Sequence, residues 1–251
     1  MHFMHLFKKL GIITNVFKGK GDREKMENQR GITVSSSIGT IAEEILTNRL
    51  MKTITFSQAQ AGGRKGGSAL DHIFILKSAI EIALKEGQEL ILTFYDIKKA
   101  YDRADMNDML VIINEEGFNG KVWNLTKSLN ENLTARVKTK HGLTEEIKRE
   151  KGGKQGAKLM VPMFSKMMDK LPEELHQNDE FGILLGEQKI AGLAFVDDEV
   201  TLANGYSQQE KTLKVVNEFS VKHQLEWGES KCKVMEIGNL EREDNRKLLS
   251  L

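Results

Sequence analysis

The sequence predicts a mixed α/β (α+β) chain organised around a split βαβ, ferredoxin-like sheet. Three features predict it. The apolar run Leu90–Tyr95 stops at Asp96, as a strand buried on both faces does. Residues 189–195 and 199–203 flank Val196-Asp197-Asp198 and read as a hairpin with two aspartates at its tip. Helical spacing fills the interval between these strands and recurs before a last strand, Lys233–Ile237. Strand, helices, hairpin, helix and strand, in that order, make the split βαβ motif.

The other elements follow along the chain. Residues 11–17 form a strand, and Lys18-Gly19-Lys20-Gly21-Asp22 after it is a basic, turn-rich loop. Ile41, Ile45, Leu46 and Leu50 recur at helical spacing. Residues 62–67 are a glycine-rich loop without the spacing of a nucleotide-binding P-loop. Ser68 is suited to cap a helix with Leu70, Ile73, Phe74, Ile80 and Leu84 along one side. A helix with Met106, Met109, Leu110 and Ile113 ends near Gly117, and another carries Val122, Leu125 and Leu129. Residues 136–139 open a strand pair that reaches Lys151. Residues 155–171 are helical, and their Met160, Met163, Met167 and Met168 read as core rather than as a binding stripe. A last helix spans 208–223.

Composition narrows the function classes. The 251 residues allow one large domain or two small ones. With 39% hydrophobic residues, 29% charged and a formal net charge of +1, the chain can fill a core and gives no charge argument for disorder. The one cysteine, Cys232, excludes an intramolecular disulfide and a Cys-based zinc site. His2 and His5 have no further ligand beside them and read as incidental. No apolar run approaches the ~18 residues of a membrane span, and the broken run before Phe17 reads as a strand rather than a signal peptide. An intracellular chain with no membrane partner is expected, in nucleus or cytoplasm. Charge is uneven: residues 1–168 hold 27 Lys and Arg against 19 Asp and Glu, and residues 169–251 hold 10 against 17. The basic side, concentrated at 121–158, suits a polyanion. A solvated lysine-rich face is the alternative.

The carboxylates suggest chemistry. If the strand ending at Asp96 neighbours the hairpin carrying Asp197 and Asp198, three negative charges converge and raise one another's pKa. A divalent cation resolves the repulsion, and carboxylates without His or Cys favour Mg²⁺ over zinc. Two such ions about 4 Å apart can activate an attacking oxygen and stabilise a leaving phosphate oxygen. Alternatively, Asp-Asp is a polar turn.

Six ordered motifs carry a family resemblance. L-T-F-Y-D-I-K-K-A-Y-D-R-A (92–104) resembles the first catalytic motif of reverse transcriptases, especially those of non-LTR (LINE-like) retrotransposons. G-L-A-F-V-D-D-E-V-T-L (192–202) resembles their aromatic-x-Asp-Asp motif, and G-G-K-Q-G-A-K-L (152–159) the Gln-Gly motif. L-E-W-G-E-S-K-C-K-V-M (225–235) resembles the lysine-bearing motif, and segments 18–33 and 60–71 the two finger motifs.

The resemblance implies a reverse transcriptase palm with partial fingers. It also implies roles. Asp96 and Asp197 would hold two Mg²⁺ ions, with Mn²⁺ as a substitute; Asp198 would assist, and the Ile97 carbonyl would be a further ligand. Tyr101 fills the steric-gate position beneath the sugar, or is a core tyrosine. Gln155 and Gly156 would line the nucleotide pocket. Arg30 and Arg64 match basic finger positions over the triphosphate, or are surface arginines. Lys231 would donate a proton to the leaving pyrophosphate, or is a plain exposed lysine. The partners implied are an RNA template, a DNA primer and a dNTP.

The chain also departs from the family pattern. Gly63 stands where Phe is usual, Met160-Val161 where Ser-Pro is usual, Gly228 where Asn is frequent, and Val196 where Ala is usual. None of these removes a metal ligand. The expected organisation is a single truncated domain: fingers over about 1–90, palm over about 90–240 with an insertion near 121–150, and a tail at 240–251. A thumb and an endonuclease domain are not expected within it. Two other readings stay open: a non-catalytic RNA-binding remnant of the same fold, and another palm-type nucleotidyl transferase such as a cyclase. Gln155, Gly156 and Tyr101 count against the second.

Overall fold

The computed structural model describes residues 10–149, 152–153 and 156–238. His2, His5, Lys151, Gln155 and the expected tail lie outside the described residues. The chain divides into two compact units that interleave in sequence: Met1–Ile54 with Tyr101–Met163, and Thr55–Ala100 with Phe164–Leu251.

The first unit is built on β1 (Leu10–Phe17), which pairs antiparallel with β2 (Gln29–Val34) and parallel with β4 (Thr134–Thr139). Two short strands, β5 (Gly142–Leu143) and β6 (Ile147–Lys148), fold back antiparallel on β4. Helix α1 (Ser37–Thr53) starts where the Gly39 N–H donates to the Ser36 hydroxyl at 3.2 Å. It buries Leu46 and Leu50, whereas Ile41 and Ile45 are exposed. Helix α3 (Ala100–Arg103) is a single turn. Helix α4 (Met106–Glu115), capped by Asp105, buries Met109, Leu110, Ile112 and Ile113. The Trp123 indole N–H of α5 (Gly120–Asn130) donates to the Leu110 carbonyl at 2.8 Å, tying the two helices together.

The second unit contains a four-stranded sheet of β3 (Leu90–Tyr95), β9 (Gly192–Phe195), β10 (Asp198–Ala203) and β11 (Lys233–Ile237), all pairs antiparallel. The spatial order β11-β3-β10-β9 is the fourth, first, third and second strand in chain order. Helix α6 (Met160–Gln177) precedes β9, and α7 (Gly205–Lys222) joins β10 to β11. The expected split βαβ is therefore present, with part of the first unit inserted between β3 and α6. A small hairpin of β7 (Ile183–Leu185) and β8 (Gln188–Ile190) forms its own ladder and packs Ile183, Leu185 and Ile190 against the core of that sheet.

One face of that sheet, with Leu90, Leu92, Leu193, Val200, Leu202 and Ile237, packs on Ala79 and Ala83 of α2 (Ala69–Glu86). Small alanines let the helix approach closely. Here the expected apolar side of α2 is corrected: Ile80 packs against the core, but Leu70, Ile73, Phe74 and Leu84 are exposed. The four methionines of α6 are all buried, as expected of core residues. That helix starts at Met160 rather than at residue 155, because Gly156 has φ +104°, a value no helix accommodates.

Candidate active site

β3 ends at Tyr95, opposite Glu199 of β10. One further step in this antiparallel register sets Asp198 opposite Asp96, with both side chains on one face. Only Val196 and Asp197 join β9 to β10, since Asp198 already pairs with Phe195. Asp198 thus begins β10 rather than lying on the tip. Val196 has φ +62°, the positive first position of a II′-like turn.

A second strand-like contact brings Lys231 in. The Lys98 N–H donates to the Glu226 carbonyl at 2.8 Å and the Gly228 N–H to the Asp96 carbonyl at 2.6 Å, so Ile97 and Trp227 form an antiparallel bridge. These bonds use the outer edge of residues 96–98 and leave the Ile97 carbonyl aimed at the other edge, the β10 side. A tight turn follows, with the Lys231 N–H donating to the Gly228 carbonyl at 2.7 Å. Lys231 Nζ consequently reaches Asp96 Oδ1 at 2.7 Å. A Cβ on Gly228 would stand 3.2 Å from both the Asp96 carbonyl oxygen and Oδ1. The departure from Asn at this position thus leaves room beside the first aspartate.

The electrostatics match this placement. Burial, and next the charge of Asp198, pushes the Asp197 carboxyl above its ordinary range; Asp96 adds to the shift and Lys231 opposes it. Desolvation and then Asp96 raise Asp198, again against Lys231. The donor set fits a hard divalent cation: three carboxylates with surplus negative charge, a free-edge backbone carbonyl, and no histidine or cysteine among them. Among the described residues no three acidic, His or Cys side chains are gathered into a ready-made metal cage.

Sequence reasoning missed Glu199. It is fully buried, neither carboxyl oxygen has a hydrogen-bond partner among the described residues, and burial pushes it well above the usual range, with Asp169 and Asp198 adding to the shift. A Glu inside the apolar run of β10 was the available signal. Behind it, the Tyr95 hydroxyl pairs with Thr201 Oγ1 at 3.2 Å and the Tyr95 ring tilts against Trp227 with centroids 5.2 Å apart.

The remaining expected residues are carried by other elements. Arg64 lines a cavity of about 620 Å³ with Ser57, Glu173 and His176, in which none of the three aspartates takes part. Tyr101, Gly156 and Arg30 belong to the first unit. Tyr101 is half-buried in α3, and its carbonyl accepts from the Gly153 N–H at 2.8 Å. Arg149 Nη2 donates to the Gly153 carbonyl at 2.6 Å and fixes the glycines of the Gln-Gly motif beside α3. Gly156 lies against β2, where an added Cβ would meet Ile32 at 3.3 Å. Arg30 is exposed on β2. In the basic stretch, Arg136 pairs with Glu146, Lys127 with Glu131 and Lys158 with Glu44, so these cations already have partners.

Known proteins resemble the chain in sequence and in fold. The retrovirus-related Pol polyprotein of the type-1 retrotransposable element R2 from Popillia japonica is 27% identical over 207 residues, 82% of this chain and 29% of that protein. Its counterpart from Nasonia vitripennis is 23% identical over 205 residues, 80% of this chain and 20% of that protein. The chain therefore spans less than a third of the length of these relatives. Telomerase from Candida tropicalis, solved with a fragment of telomeric RNA, superposes with a TM-score of 0.64 at 16% identity, over 92% of this chain and 41% of that one, and shares its fold. The profile of the reverse transcriptase (RNA-dependent DNA polymerase) family matches residues 18–250, and the chain belongs to that family.

Proposed function

We propose that this chain is the palm and part of the fingers of a retrotransposon reverse transcriptase and joins a dNTP to a primer 3′-hydroxyl under the direction of an RNA template. The supporting observation is the sheet edge where the Tyr95–Glu199 pair leads by one step to Asp96 and Asp198, with Asp197 beside Asp198 and Lys231 on Asp96. In this reading the second unit is the palm and the first unit supplies fingers. Asp96, Asp197, Asp198 and the Ile97 carbonyl would hold Mg²⁺, or Mn²⁺ in its place. Bound there, such ions supply charge neutralisation for the attacking and leaving oxygens.

The chain's own groups do the rest. Lys231 leaves Asp96 to give a proton to the departing pyrophosphate. Arg30 and Arg64 hold phosphate oxygens with planar donor forks. Tyr101 blocks a 2′-hydroxyl, and Gln155 with Gly156 lines the sugar and base. The basic side of the chain takes the template and primer backbones, and the location is intracellular. Primer extension on an RNA template with and without Mg²⁺ tests the reading. Deoxynucleotide addition that needs both template and metal supports it, and RNA binding without any addition would favour the non-catalytic remnant.

A further inference from the structure

The hairpin turn that carries Asp197 and leads into Asp198 is held from outside its own sheet. Residues 59–61 run parallel to β9 as an extra edge: the Ala61 N–H donates to the Ala194 carbonyl at 2.9 Å, and the Ala194 N–H to the Ala59 carbonyl at 2.8 Å. Between these bonds the fully buried Gln60 turns its amide towards the tip. Gln60 Oε1 accepts from the Val196 N–H at 3.0 Å and from the Gly62 N–H at 2.8 Å, and Gln60 Nε2 donates to the Ser165 carbonyl of α6 at 3.3 Å. One side chain thus joins the glycine-rich loop, the tip and a core helix, and its carbonyl oxygen uses both lone pairs.

The bond falls on a strained position. Val196 is a β-branched residue at φ +62°, a conformation such residues rarely adopt and keep only when their surroundings enforce it. The loop presses on the same point. A Cβ on Gly62 would come within 2.6 Å of Val196 Cγ2 and 2.8 Å of the Phe195 carbonyl carbon, so only glycine lets the loop approach this closely.

We propose that Gln60 is a positioning residue for the aspartate hairpin: its amide, with Gly62 behind it, fixes the left-handed turn at Val196 and so sets where Asp197 and Asp198 point. It touches no reacting atom and acts through the backbone of Val196. The proposal rests on the polymerase reading for its functional consequence, but the clamp itself does not depend on that reading.

The test uses Gln60→Met, which keeps the volume without the polar atoms, and Gln60→Glu, which keeps an oxygen facing both N–H groups. Hydrogen exchange read by mass spectrometry should show the segment around Val196 exchanging about tenfold faster in Gln60→Met, for the loss of a hydrogen bond at a strained turn. Segments of α7 should stay as protected as in the unaltered chain, and Gln60→Glu should restore most of the tip protection. In RNA-templated extension, Gln60→Met should lower kcat about tenfold or more with KM for the dNTP little changed, and Gln60→Glu should recover part of it. Unchanged exchange at the tip overturns the clamp. A loosened tip with unchanged kcat overturns the positioning role. An unaltered chain without synthesis contradicts the polymerase reading alone, because tip exchange still decides the clamp.

Discussion

Lys231 Nζ lies 2.7 Å from Asp96 Oδ1, although the two residues are 135 positions apart. The contact is set by backbone rather than by chance, since the Ile97–Trp227 bridge and the turn at Gly228 deliver the lysine to that oxygen. Both side chains keep solvent access, at 65% and 32% exposure, so the pair is worth at most about 1 kcal/mol to the fold. Lys231→Ala should therefore shift the urea midpoint little while slowing extension by about 10²–10⁴, the range of a lost general acid. A variant that unfolds readily but extends normally would make the lysine structural.

Tyr101→Val should admit ribonucleotides. A ring in a rigid pocket can discriminate by more than the roughly 1–3 kcal/mol of a single-group preference, so the ratio of dNTP to rNTP incorporation should fall about tenfold or more. Competition between the two nucleotides in single-nucleotide extension measures it. Undiminished sugar discrimination would make Tyr101 a packing residue of α3.

His72 sits in the first turns of α2, buried, with Nε2 lacking a partner among the described residues. Burial, and next the charge of Arg64, holds its pKa below the usual value, against Asp71. A depressed folded-state histidine stabilises the fold above its unfolded pKa of about 6.5. That stability is lost as pH falls through the window below it, at up to about 1.4 kcal/mol per pH unit. His72→Gln should flatten the stability profile between pH 6.5 and the folded pKa. An unchanged slope in urea titrations across that window would refute the assignment.

RNA affinity should fall with salt. Lys18, Lys20, Arg23, Lys25 and Arg30 are exposed around the β1–β2 connection. Four phosphate contacts to a single strand imply a loss on the order of 10²-fold between 50 and 200 mM salt. Filter binding at several salt concentrations checks it, and a flat profile would leave the basic side as a solvated face.

The parts of the fold legible in the sequence are those decided locally. β3 was readable to the residue because its apolar run stops before Asp96, and the β-rich stretch Lys233–Ile237 matched β11. β2 was not, because its Gln29-Arg30-Gly31 half is polar and only pairing with β1 makes it a strand. The apolar side of α2 was misjudged because its fit to the sheet uses Ala79 and Ala83, which carry little hydrophobic signal, rather than Phe74. At the site, the aspartates stood out as a motif, and the β3–β10 register, which pairs Tyr95 with Glu199, leads by one further step to Asp96 and Asp198. Gln60 did not stand out, since a glutamine just before a glycine-rich loop announces nothing until the fold lays Val196 across it.

The proposed metal-dependent nucleotide addition runs through the Asp96, Asp197 and Asp198 edge. The most direct measurement is Mg²⁺-dependent primer extension on an RNA template by Asp197→Asn beside the unaltered chain, with RNA affinity measured on the same preparations. Extension should fall by about 10²–10³-fold while RNA affinity stays within about twofold, since losing one group that stabilises developing charge costs about that much and removes no template contact. Extension that survives the substitution, or RNA binding that falls in step with it, would contradict the account.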